Sequence, residues 1–445
     1  MEEYQCPGLS LALALGEDVV YAKGYGRRNE GGDAVTTNTI FGIASITKAF
    51  TALAIAQLYE AGKLGLDDSV KKYLPSFKTP EHTDAIKIIH LINHTSGLPL
   101  LPSMKYAMMT GTARDTDQQL PSGITPVETT QDLLRFMGEA EYEMLGYPGH
   151  FINYSNDGYS ILGAIVESVS GMSYSNYIEK HILKPLGMTR TMVERTELVK
   201  HSDVTDLYYH DDDNRVQHTS HWQEAPSHFA CGWLRSCSTD LVKFWQMLEQ
   251  EGVYRGTRVL SSSIWRELLS RKANITIHRE YGPGVRIQPN YRGETVIDHT
   301  GGLRGISSNA GFVKDKGITV AVLSNLSGFP SSLVFTAAVN LMLSLPLDTP
   351  RYQYARVHWP EEVMSRRTGV FMSSEGFTAP ITITSEGGKL LMAKSGDIQE
   401  LTPTTADVAV LNIVGQDMSR EVRFHEDDSG QVWAIGNNNR MFRRV

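Results

Sequence analysis

The chain has 445 residues, of which 41% are hydrophobic and 21% are charged, and its formal net charge is −8. These proportions are ordinary for a globular protein, and the length exceeds that of one typical domain. Because the charge is acidic and no cluster of lysine and arginine is present, we expect no nucleic-acid partner. Three cysteines are too few for a full disulfide framework.

The sequence predicts neither a signal peptide nor a membrane span. The first residues, Met1 to Tyr4, lack a basic segment and an apolar core. The longest apolar stretch, residues 333–347, contains Thr336 and Asn340 and is too short to cross a bilayer. We interpret it as a buried helix, and we expect the chain as given to be cytoplasmic with no membrane partner.

The first sixty residues predict a β-hairpin followed by a helix. Residues 9–15 are apolar, residues 16–18 resemble a turn, and residues 19–22 supply the partner strand. Gly62 stands where a helix commonly ends. The preceding helix is predicted by apolar residues at helical spacing, namely Ile46, Phe50, Leu53, Ala54 and Leu58.

Ser45 and Lys48 are three residues apart at the start of this helix, which places both on one face. A serine hydroxyl is a poor nucleophile unless a neighbouring base takes its proton. A lysine amine can act as that base where burial or positive potential favours its neutral form, and an apolar helix start offers both. The same spacing recurs at Ser69 and Lys72 in a charged stretch, so the pattern alone does not identify a catalytic site.

The next segments predict turns and a long loop. An apolar run over residues 86–93 leads into His94–Pro99, which we interpret as a structural turn. Residues 102–130 contain several prolines and glycines and few periodic apolar residues apart from three methionines. This pattern predicts a loop, either a lid over a substrate site or a surface loop whose methionines pack against the core.

A polar cluster over residues 149–159 precedes a second helical pattern. Tyr154, Ser155 and Asn156 can present a phenol, a hydroxyl and an amide to a cleft. Alternatively, Ser155, Asn156 or Asp157 caps the helix that follows. Capping leaves Tyr154 unexplained, so both interpretations can hold together.

Residues 201–228 contain five histidines and a run of three aspartates. The spacing matches neither H-E-x-x-H nor paired C-x-x-C motifs. We therefore expect a solvated loop, no metal and no cofactor.

A third polar cluster, Asp298 to Gly305, follows a strand-like run at residues 295–297 and precedes another at residues 317–325. Small residues at a strand edge allow a substrate backbone to approach closely. The cluster matches no G-x-S-x-G elbow, phosphate-binding loop or dinucleotide fingerprint, which argues against an α/β-hydrolase.

The character of the chain changes after residue 347. We predict a first domain over residues 1–347, a proline-punctuated linker over residues 348–365, and a second domain over residues 366–445. The last region alternates as short strands separated by turn signals, which predicts a small antiparallel barrel or sandwich. The five predicted strands are residues 381–383, 389–391, 408–410, 422–424 and 432–435.

Three motifs in this order resemble those of the serine β-lactamase and penicillin-binding-protein superfamily, most closely its class C-like branch of esterases and peptidases. That branch combines S-x-x-K, Y-x-N and K/H-T-G, which stand here as Ser45–Lys48, Tyr154–Asn156 and His299–Gly301. The likeness covers about residues 7–345. The C-terminal region resembles the lipocalin-like barrel that several members carry.

The resemblance implies an α/β fold in which an antiparallel sheet, flanked by helices, joins the N-terminal strands to those after His299, with a helical region between them. It implies that Ser45 is the acylated nucleophile and that Lys48 and Tyr154 share proton transfer. Asn156 would orient Lys48 and the substrate amide. The chain has less sequence before its first strand than is usual in the family, so we expect altered packing on that side of the sheet.

The resemblance also assigns substrate contacts to the third cluster. The backbone N–H groups of Ser45 and Gly302 would form an oxyanion hole. The expected substrate-binding residues, besides Asn156, are His299, Thr300, Gly301, Gly302 and Arg304.

These expectations together predict a serine hydrolase that acts through an acyl-enzyme on an ester or amide of a small molecule or peptide. It would resemble an esterase or D-peptidase more than an efficient β-lactamase. The alternatives are an acyltransferase or transesterase, a thioesterase-type cyclase that uses the same acyl-enzyme, and a non-catalytic scaffold with the same fold.

His299 stands where β-lactamases of this superfamily usually carry lysine. A histidine is mostly neutral at pH 7.5 unless a carboxylate such as Asp298 raises its pKa. Arg304 is expected on the same side as Gly302, where it would partly replace the lost charge. We therefore predict poor β-lactam hydrolysis, and a KM for anionic substrates that falls as the pH drops through the pKa of His299.

Overall fold

A computed structural model describes residues 1–373, 379–411, 420–437 and 439–445. The helices within these residues, numbered in chain order, are α1 (Thr47–Glu60), α2 (Ile88–Ile92), α3 (Ser103–Thr116), α4 (Thr130–Glu139), α5 (Asn156–Ser170), α6 (Tyr174–Ile178), α7 (Phe229–Gly232), α8 (Ser238–Glu249), α9 (Ser262–Ser270), α10 (Ser331–Met342) and α11 (Glu361–Arg366).

The strands of the N-terminal part are β1 (Gly8–Leu15), β2 (Asp18–Gly26), β3 (Phe41–Gly42), β4 (Leu207–His210), β5 (Val216–Thr219), β6 (Arg235–Ser236), β7 (Val253–Tyr254), β8 (Thr257–Arg258), β9 (Ala273–Asn274), β10 (Glu280–Gly282), β11 (Val285–Tyr291), β12 (Glu294–Leu303), β13 (Ile306–Val313) and β14 (Ile318–Ser324). Eight of them form one sheet in the order β2-β1-β14-β13-β12-β11-β10-β9. The others form three two-stranded pairs, β3 with β6, β4 with β5 and β7 with β8.

The central sheet joins the N-terminal strands to the strands after His299, as predicted. Strand β1 pairs antiparallel with β14, in a register that runs from Leu9 opposite Ser324 to Leu15 opposite Ile318. Antiparallel pairing continues from β14 through β13 to β12, which carries the third polar cluster. The antiparallel sheet with flanking helices therefore confirms the predicted fold class.

Both faces of β14 are buried. Side chains alternate between the two faces of a strand, so neighbouring residues of β14 pack into different cores. Ala321 and Leu323 belong to the core shared with helices α1, α5 and α8. Val320 and Val322 belong to a second core on the opposite face, where α10 contributes Phe335 and other apolar residues. Helix α10 thus covers this second face of the sheet.

Helix α1 is buried on almost every side, which is the expected location of a helix that is apolar around its circumference. The ring of Phe50 stacks on that of Phe244 in α8, with centroids 3.7 Å apart. Lys48 lies in this apolar setting and has no exposed surface. The fold thus supplies the burial that the Ser-Lys hypothesis requires.

The prediction of a loop over residues 102–130 is wrong for its first half, which forms helix α3. Threonine hydroxyls donate to backbone carbonyl oxygens one turn earlier, Thr110 to Tyr106 at 2.8 Å and Thr112 to Met108 at 2.9 Å. Gly111 resembles a helix breaker in the sequence, but here it permits close packing. A Cβ atom on Gly111 would lie 2.3 Å from the carbonyl oxygen of Glu224.

The prediction of a solvated loop over residues 201–228 is also partly wrong. This segment contains the β4–β5 hairpin, and its last histidine, His228, is fully buried. Within the described residues, no group of three or more His, Cys, Asp or Glu side chains is arranged to hold a metal ion.

The C-terminal part is a closed antiparallel barrel, which confirms the predicted barrel domain. Its first strand pairs with its last through Phe371 and Arg444. Its strands are β15 (Gly369–Met372), β16 (Ile381–Glu386), β17 (Lys389–Lys394), β18 (Asp397–Pro403), β19 (Val408–Leu411), β20 (Arg420–Glu426), β21 (Val432–Asn437) and β22 (Arg440–Arg444).

None of the helices in the described part of the chain combines the length and the apolar character needed to cross a bilayer.

Candidate active site

Ser45 lies in a short 3₁₀ turn, Ala44–Ile46, that leads directly into α1. The preceding residue, Ala44, has a φ of +44°, in the left-handed region. This conformation costs a residue with a Cβ atom roughly 1–2 kcal/mol and is concentrated at functional sites. Ser45 itself is partly exposed, whereas its neighbours on both sides are buried.

Strand β12 lies directly against this turn. A Cβ atom on Gly301 would be 2.1 Å from the carbonyl oxygen of Ile43, and the hydroxyl of Ser308 donates to the same carbonyl at 2.9 Å. Gly301 therefore has no room for a side chain, because the turn before Ser45 contacts it. The next residue, Gly302, is exposed, and a Cβ atom there would meet no other atom within 4 Å.

The Lys48 side chain reaches three oxygen atoms. Its Nζ atom lies 3.2 Å from Ser45 Oγ, 2.9 Å from Asn156 Oδ1 and 2.6 Å from the carbonyl oxygen of Cys231. The last two are acceptors only, since both are carbonyl oxygens. Lys48 therefore donates to both carbonyl oxygens, and the Ser45 hydroxyl is the third partner of its amine.

Asn156 is placed by the first turn of α5. Ser155 caps this helix, since its hydroxyl accepts the N–H of Gly158 at 3.0 Å, as one of the two interpretations of the cluster predicts. The amide nitrogen of Asn156 lies 3.4 Å from Met104 Sδ on α3. The capping residue thus sets the asparagine amide between Lys48 and the start of α3.

Tyr154 is buried beside Lys48, with Lys48 Nζ 4.7 Å from the centroid of its ring. On the other side, the ring of His299 has its centroid 6.3 Å away. The backbone N–H of Tyr154 donates at 2.7 Å to the carbonyl of Asn439, which lies in the turn between β21 and β22. The barrel therefore contacts the backbone of a predicted catalytic residue.

His94 holds the segment that carries Tyr154. Its carbonyl accepts the N–H of Asn153 at 2.8 Å, and its Nδ1 accepts the N–H of Ser155 at 3.0 Å. The ring packs on Tyr154, with centroids 4.3 Å apart. Burial, reinforced by the charge of Lys48, holds the pKa of His94 well below its usual range, so the ring is neutral with its proton on Nε2.

His299 is also neutral. Its Nδ1–H donates to the carbonyl of Thr300 at 2.6 Å, so its Nε2 accepts the hydroxyl proton of Tyr281 at 3.0 Å. Burial lowers the pKa of His299 to about 3, and the charges of Arg286 and Lys48 contribute further. The ring therefore carries no charge at neutral pH.

Asp298 acts to raise the pKa of His299, but burial and the charges of Arg286 and Lys48 outweigh its effect. Although burial alone would raise the pKa of Asp298, Arg286 and Arg351 hold it well below the usual range. Arg286 contacts one carboxylate oxygen at 2.6 Å, and Arg351 contacts both at 3.2 and 3.0 Å. With a pKa of about 3, His299 gains its proton far below neutral pH, so the predicted fall of KM for anionic substrates stays a prediction for acidic pH.

Two arginines lie near the site. Arg304 is exposed, and its guanidinium stacks on the ring of Tyr209 with Cζ 3.6 Å from the centroid. Arg440, from the barrel, lies over the ring of Tyr154 with Cζ 5.9 Å from the centroid. Sequence reasoning singled out Arg304 but not Arg440, because only the docked barrel brings residue 440 to the cleft.

The structure thus brings the three motifs to one cleft. The residues that sequence reasoning missed are His94, Tyr281, Arg440 and the carbonyl of Cys231. Each acts through a contact between segments distant in sequence, so no local pattern marks them. For His94, the one local signal is a polar residue between an apolar helix and a Gly-Pro turn, which we interpreted as structural.

A second serine, histidine and aspartate meet nearby, but they are fully enclosed. The Ser103 hydroxyl donates to the Asp157 carboxylate, and His228 Nε2 lies 3.3 Å from Ser103 Oγ. All three side chains are buried, so no substrate reaches them. The cluster instead fastens the first residue of α3 to α5.

Comparison with known proteins agrees with this geometry. The sequence model of the Beta-lactamase family matches residues 1–341. Penicillin-binding protein 4* of Bacillus subtilis (strain 168) is 28% identical over 453 residues, which cover 96% of this chain and 94% of that protein.

Solved structures extend the likeness to the barrel. The octameric penicillin-binding protein homologue from Pyrococcus abyssi has a TM-score of 0.70 and 30% identity, covering 99% of this chain and 97% of that chain. A D-stereospecific amidohydrolase from Streptomyces sp. has a TM-score of 0.60 and 27% identity, covering 73% of this chain and 90% of that chain. The chain therefore belongs to the beta-lactamase family, within the superfamily of serine β-lactamases and penicillin-binding proteins.

Proposed function

We propose that the protein hydrolyses esters and amides by transferring their acyl group to Ser45 and then to water. The observation that carries this proposal is the contact of Lys48 with Ser45 at 3.2 Å, while Asn156 and the Cys231 carbonyl occupy its other hydrogen bonds. A buried amine held in this way can accept the serine proton as the hydroxyl attacks.

In the acylation step, Ser45 Oγ forms a bond to the substrate carbonyl carbon and its proton passes to Lys48. The carbonyl oxygen gains negative charge, which the backbone N–H groups of Ser45 and Gly302 stabilise as an oxyanion hole. Collapse of the intermediate breaks the bond to the leaving group. Tyr154, beside Lys48, relays the proton to that leaving group.

Deacylation reverses these roles. Water attacks the ester of Ser45, its proton passes to Lys48 and Tyr154, and the serine oxygen leaves with a proton returned from them. His299, Thr300 and Gly301 border the leaving group along β12, and Gly302 lies next to the reacting carbonyl. Because His299 is neutral, it places no positive charge beside the leaving group.

The substrate class that these features favour is a neutral ester or an amide rather than a β-lactam. β-Lactam substrates carry a carboxylate, and His299 supplies no cation for it. The likeness to a D-stereospecific amidohydrolase supports amides of D-amino acids among the substrates.

The test compares wild-type protein with Ser45→Ala on p-nitrophenyl acetate, on the D- and L-alanine p-nitroanilides, and on nitrocefin. We expect turnover of the ester and of the D-anilide, slow turnover of nitrocefin, and none of these activities in Ser45→Ala. Activity that survives in Ser45→Ala would contradict the proposal, and so would nitrocefin as the preferred substrate.

A further inference from the structure

A cavity of about 240 Å³ lies at one end of the cleft. Its walls come from α3, from the β4–β5 hairpin and the segment after it, and from the turn between β12 and β13. Its apolar side chains include Met108, Leu207, Trp222, Trp233, Leu303 and Ile306. The histidine-rich segment, to which the catalytic proposal assigns no role, therefore forms one side of this cavity.

The cavity begins beside the catalytic residues. Cys231, whose carbonyl accepts the hydrogen bond from Lys48, is followed by Gly232 in the cavity wall. A Cβ atom on Gly232 would lie 3.8 Å from the carbonyl carbon of Ala44, the residue before Ser45. Toward the surface, the cavity shares Leu303 and other residues with an open groove that includes Gly302.

The direction of β12 decides which half of the substrate this cavity receives. Tyr154, the proposed proton relay to the leaving group, lies next to His299. The leaving group therefore lies on the His299 side of the oxyanion position at Gly302. The acyl half extends the other way along β12, toward Leu303 and the cavity.

The charges around the cavity exclude a cationic occupant. Arg235 and Arg304 line it, and the lining residues in the described part of the chain include no carboxylate. Burial lowers the pKa of Arg235 to about 10, so its guanidinium stays charged at neutral pH. Glu224, 3.8 Å from Arg235, is outside the lining.

Two of the aromatic faces that could attract a cation are already covered. Arg235 Cζ is 5.6 Å from the ring centroid of Trp222, and Arg304 Cζ is 3.6 Å from that of Tyr209. A second cation at either of these two rings would therefore meet a guanidinium group.

We propose that this cavity binds the side chain of the acyl group, and that it selects a large, apolar side chain without positive charge, such as an aromatic ring. This inference rests on the proposed acyl transfer to Ser45. The volume fits, since an apolar cavity of about 150 Å³ is sufficient for benzene. Each additional methylene that the cavity buries adds favourable binding free energy. This raises kcat/KM when the same contact is kept in the transition state.

The experiment measures kcat/KM for p-nitrophenyl esters that share one leaving group. The acyl groups are acetate, butyrate, 3-phenylpropionate, 5,5-dimethylhexanoate and 4-(trimethylammonio)butyrate, of which the last two have the same shape and differ in charge. After division by each ester's rate with hydroxide, we expect 3-phenylpropionate to exceed acetate by at least about tenfold. The neutral member of the matched pair should exceed the cationic one by a similar factor.

A variant that fills the cavity tests whether the cavity causes the preference for large acyl groups. Thr219 lines the cavity from the end of β5, and its hydroxyl accepts the N–H of His221 at 3.0 Å. Thr219→Trp should remove most of the preference for 3-phenylpropionate over acetate. Thr219→Val loses the same hydroxyl without filling the space, so it should keep the preference.

The results of these experiments distinguish a failure of the inferred acyl-group preference from a failure of the proposed hydrolysis through Ser45. If the wild-type protein hydrolyses acetate through Ser45 without preferring large acyl groups, or prefers the cationic ester, the inference fails and the proposed function stands. A preference unchanged in a folded Thr219→Trp protein would also overturn the inference. If no ester is hydrolysed and a fluorophosphonate does not label Ser45, the proposed function itself fails.

Discussion

At the scale of residues, the site is a buried lysine that links three segments. Lys48 contacts Ser45 in the turn before its own helix, Asn156 at the start of α5, and the carbonyl of Cys231 on α7. Tyr154 and His299 complete the cleft, and neither neutral histidine near them adds charge. The guanidinium of Arg440, which lies over the ring of Tyr154, is the charged group that the barrel adds to this site.

Replacing Tyr154 by phenylalanine tests its role in proton transfer. Because only the phenol oxygen is lost, we expect kcat to fall by about 10²–10⁴-fold with KM little changed. Steady-state kinetics on p-nitrophenyl acetate and on an anilide measure both constants. A raised KM with an unchanged kcat would make Tyr154 a binding residue instead.

The charge state of His299 predicts a flat pH dependence. A pKa lowered to about 3 leaves the ring neutral above about pH 4, so KM for a carboxylate-bearing ester should show no step between pH 5 and pH 8. His299→Lys should lower that KM, while a methyl ester of the same carboxylate serves as the neutral control. A step near pH 6.5 that disappears in His299→Ala would show that the ring titrates there.

At the scale of elements, strand β12 depends on the buried carboxylate of Asp298. Arg286 reaches it from β11, and Arg351 reaches it from the segment after α10. These contacts tie the strand that carries His299 and Gly301 to its neighbours. The ion pairs thus position the strand that borders the leaving group in the proposed mechanism.

Asp298→Asn should lower the free energy of unfolding by about 3–5 kcal/mol, because two buried guanidinium groups lose their counter-charge. Asp315→Asn is the matched control, since that side chain is exposed in the β13–β14 turn and pairs with Lys314. We expect the control to change stability by less than about 0.5 kcal/mol. Urea denaturation measures both, and equal losses would contradict the assigned role of Asp298.

Much of the element pattern was predictable because burial imposes periodicity. The N-terminal hairpin, the helix after Ser45, strands β12 and β14, and five barrel strands follow from apolar spacing. Helix α3 was not predicted, since its threonines satisfy their hydroxyls on the helix backbone and Gly111 serves a tertiary contact. Strand β18 was missed because Asp397 to Glu400 are all exposed and show no alternation.

At the site, too, residues in local motifs were predictable, whereas features that depend on tertiary contacts were not. Ser45, Lys48, Tyr154 and Asn156 were identifiable because their motifs are local in sequence. The neutral state of His299 was not, because it depends on burial and on Tyr281, Arg286 and Lys48 around the ring. Charge in a buried site is a property of the folded surroundings.

At the scale of the whole molecule, the barrel reaches the catalytic cleft. The Asn439 carbonyl accepts the N–H of Tyr154, and the N–H of Met441 donates to Asn153 Oδ1 at 2.9 Å. On another side, Glu421 of β20 accepts the N–H of Ile277 at 2.9 Å. The barrel thus completes the hydrogen bonds of the segment that carries Tyr154.

Deleting residues 360–445 should leave Ser45 chemistry possible but slow it, because the Tyr154 segment loses two hydrogen bonds to the barrel. We expect kcat to fall, the range of accepted esters to change, and the melting temperature to drop. Circular dichroism controls for folding of the shortened chain. Unchanged kinetics together with unchanged melting would show that the barrel is a passenger.

We propose that Ser45 forms a covalent acyl-enzyme. Intact-mass spectrometry after incubation with a fluorophosphonate shows directly whether Ser45 can be modified in this way. The account predicts one adduct per chain, located on the peptide that contains Ser45 and absent from Ser45→Ala. Labelling should be much slower in Lys48→Ala, which lacks the base. An unlabelled wild-type protein, or an adduct that persists in Ser45→Ala, would contradict the account.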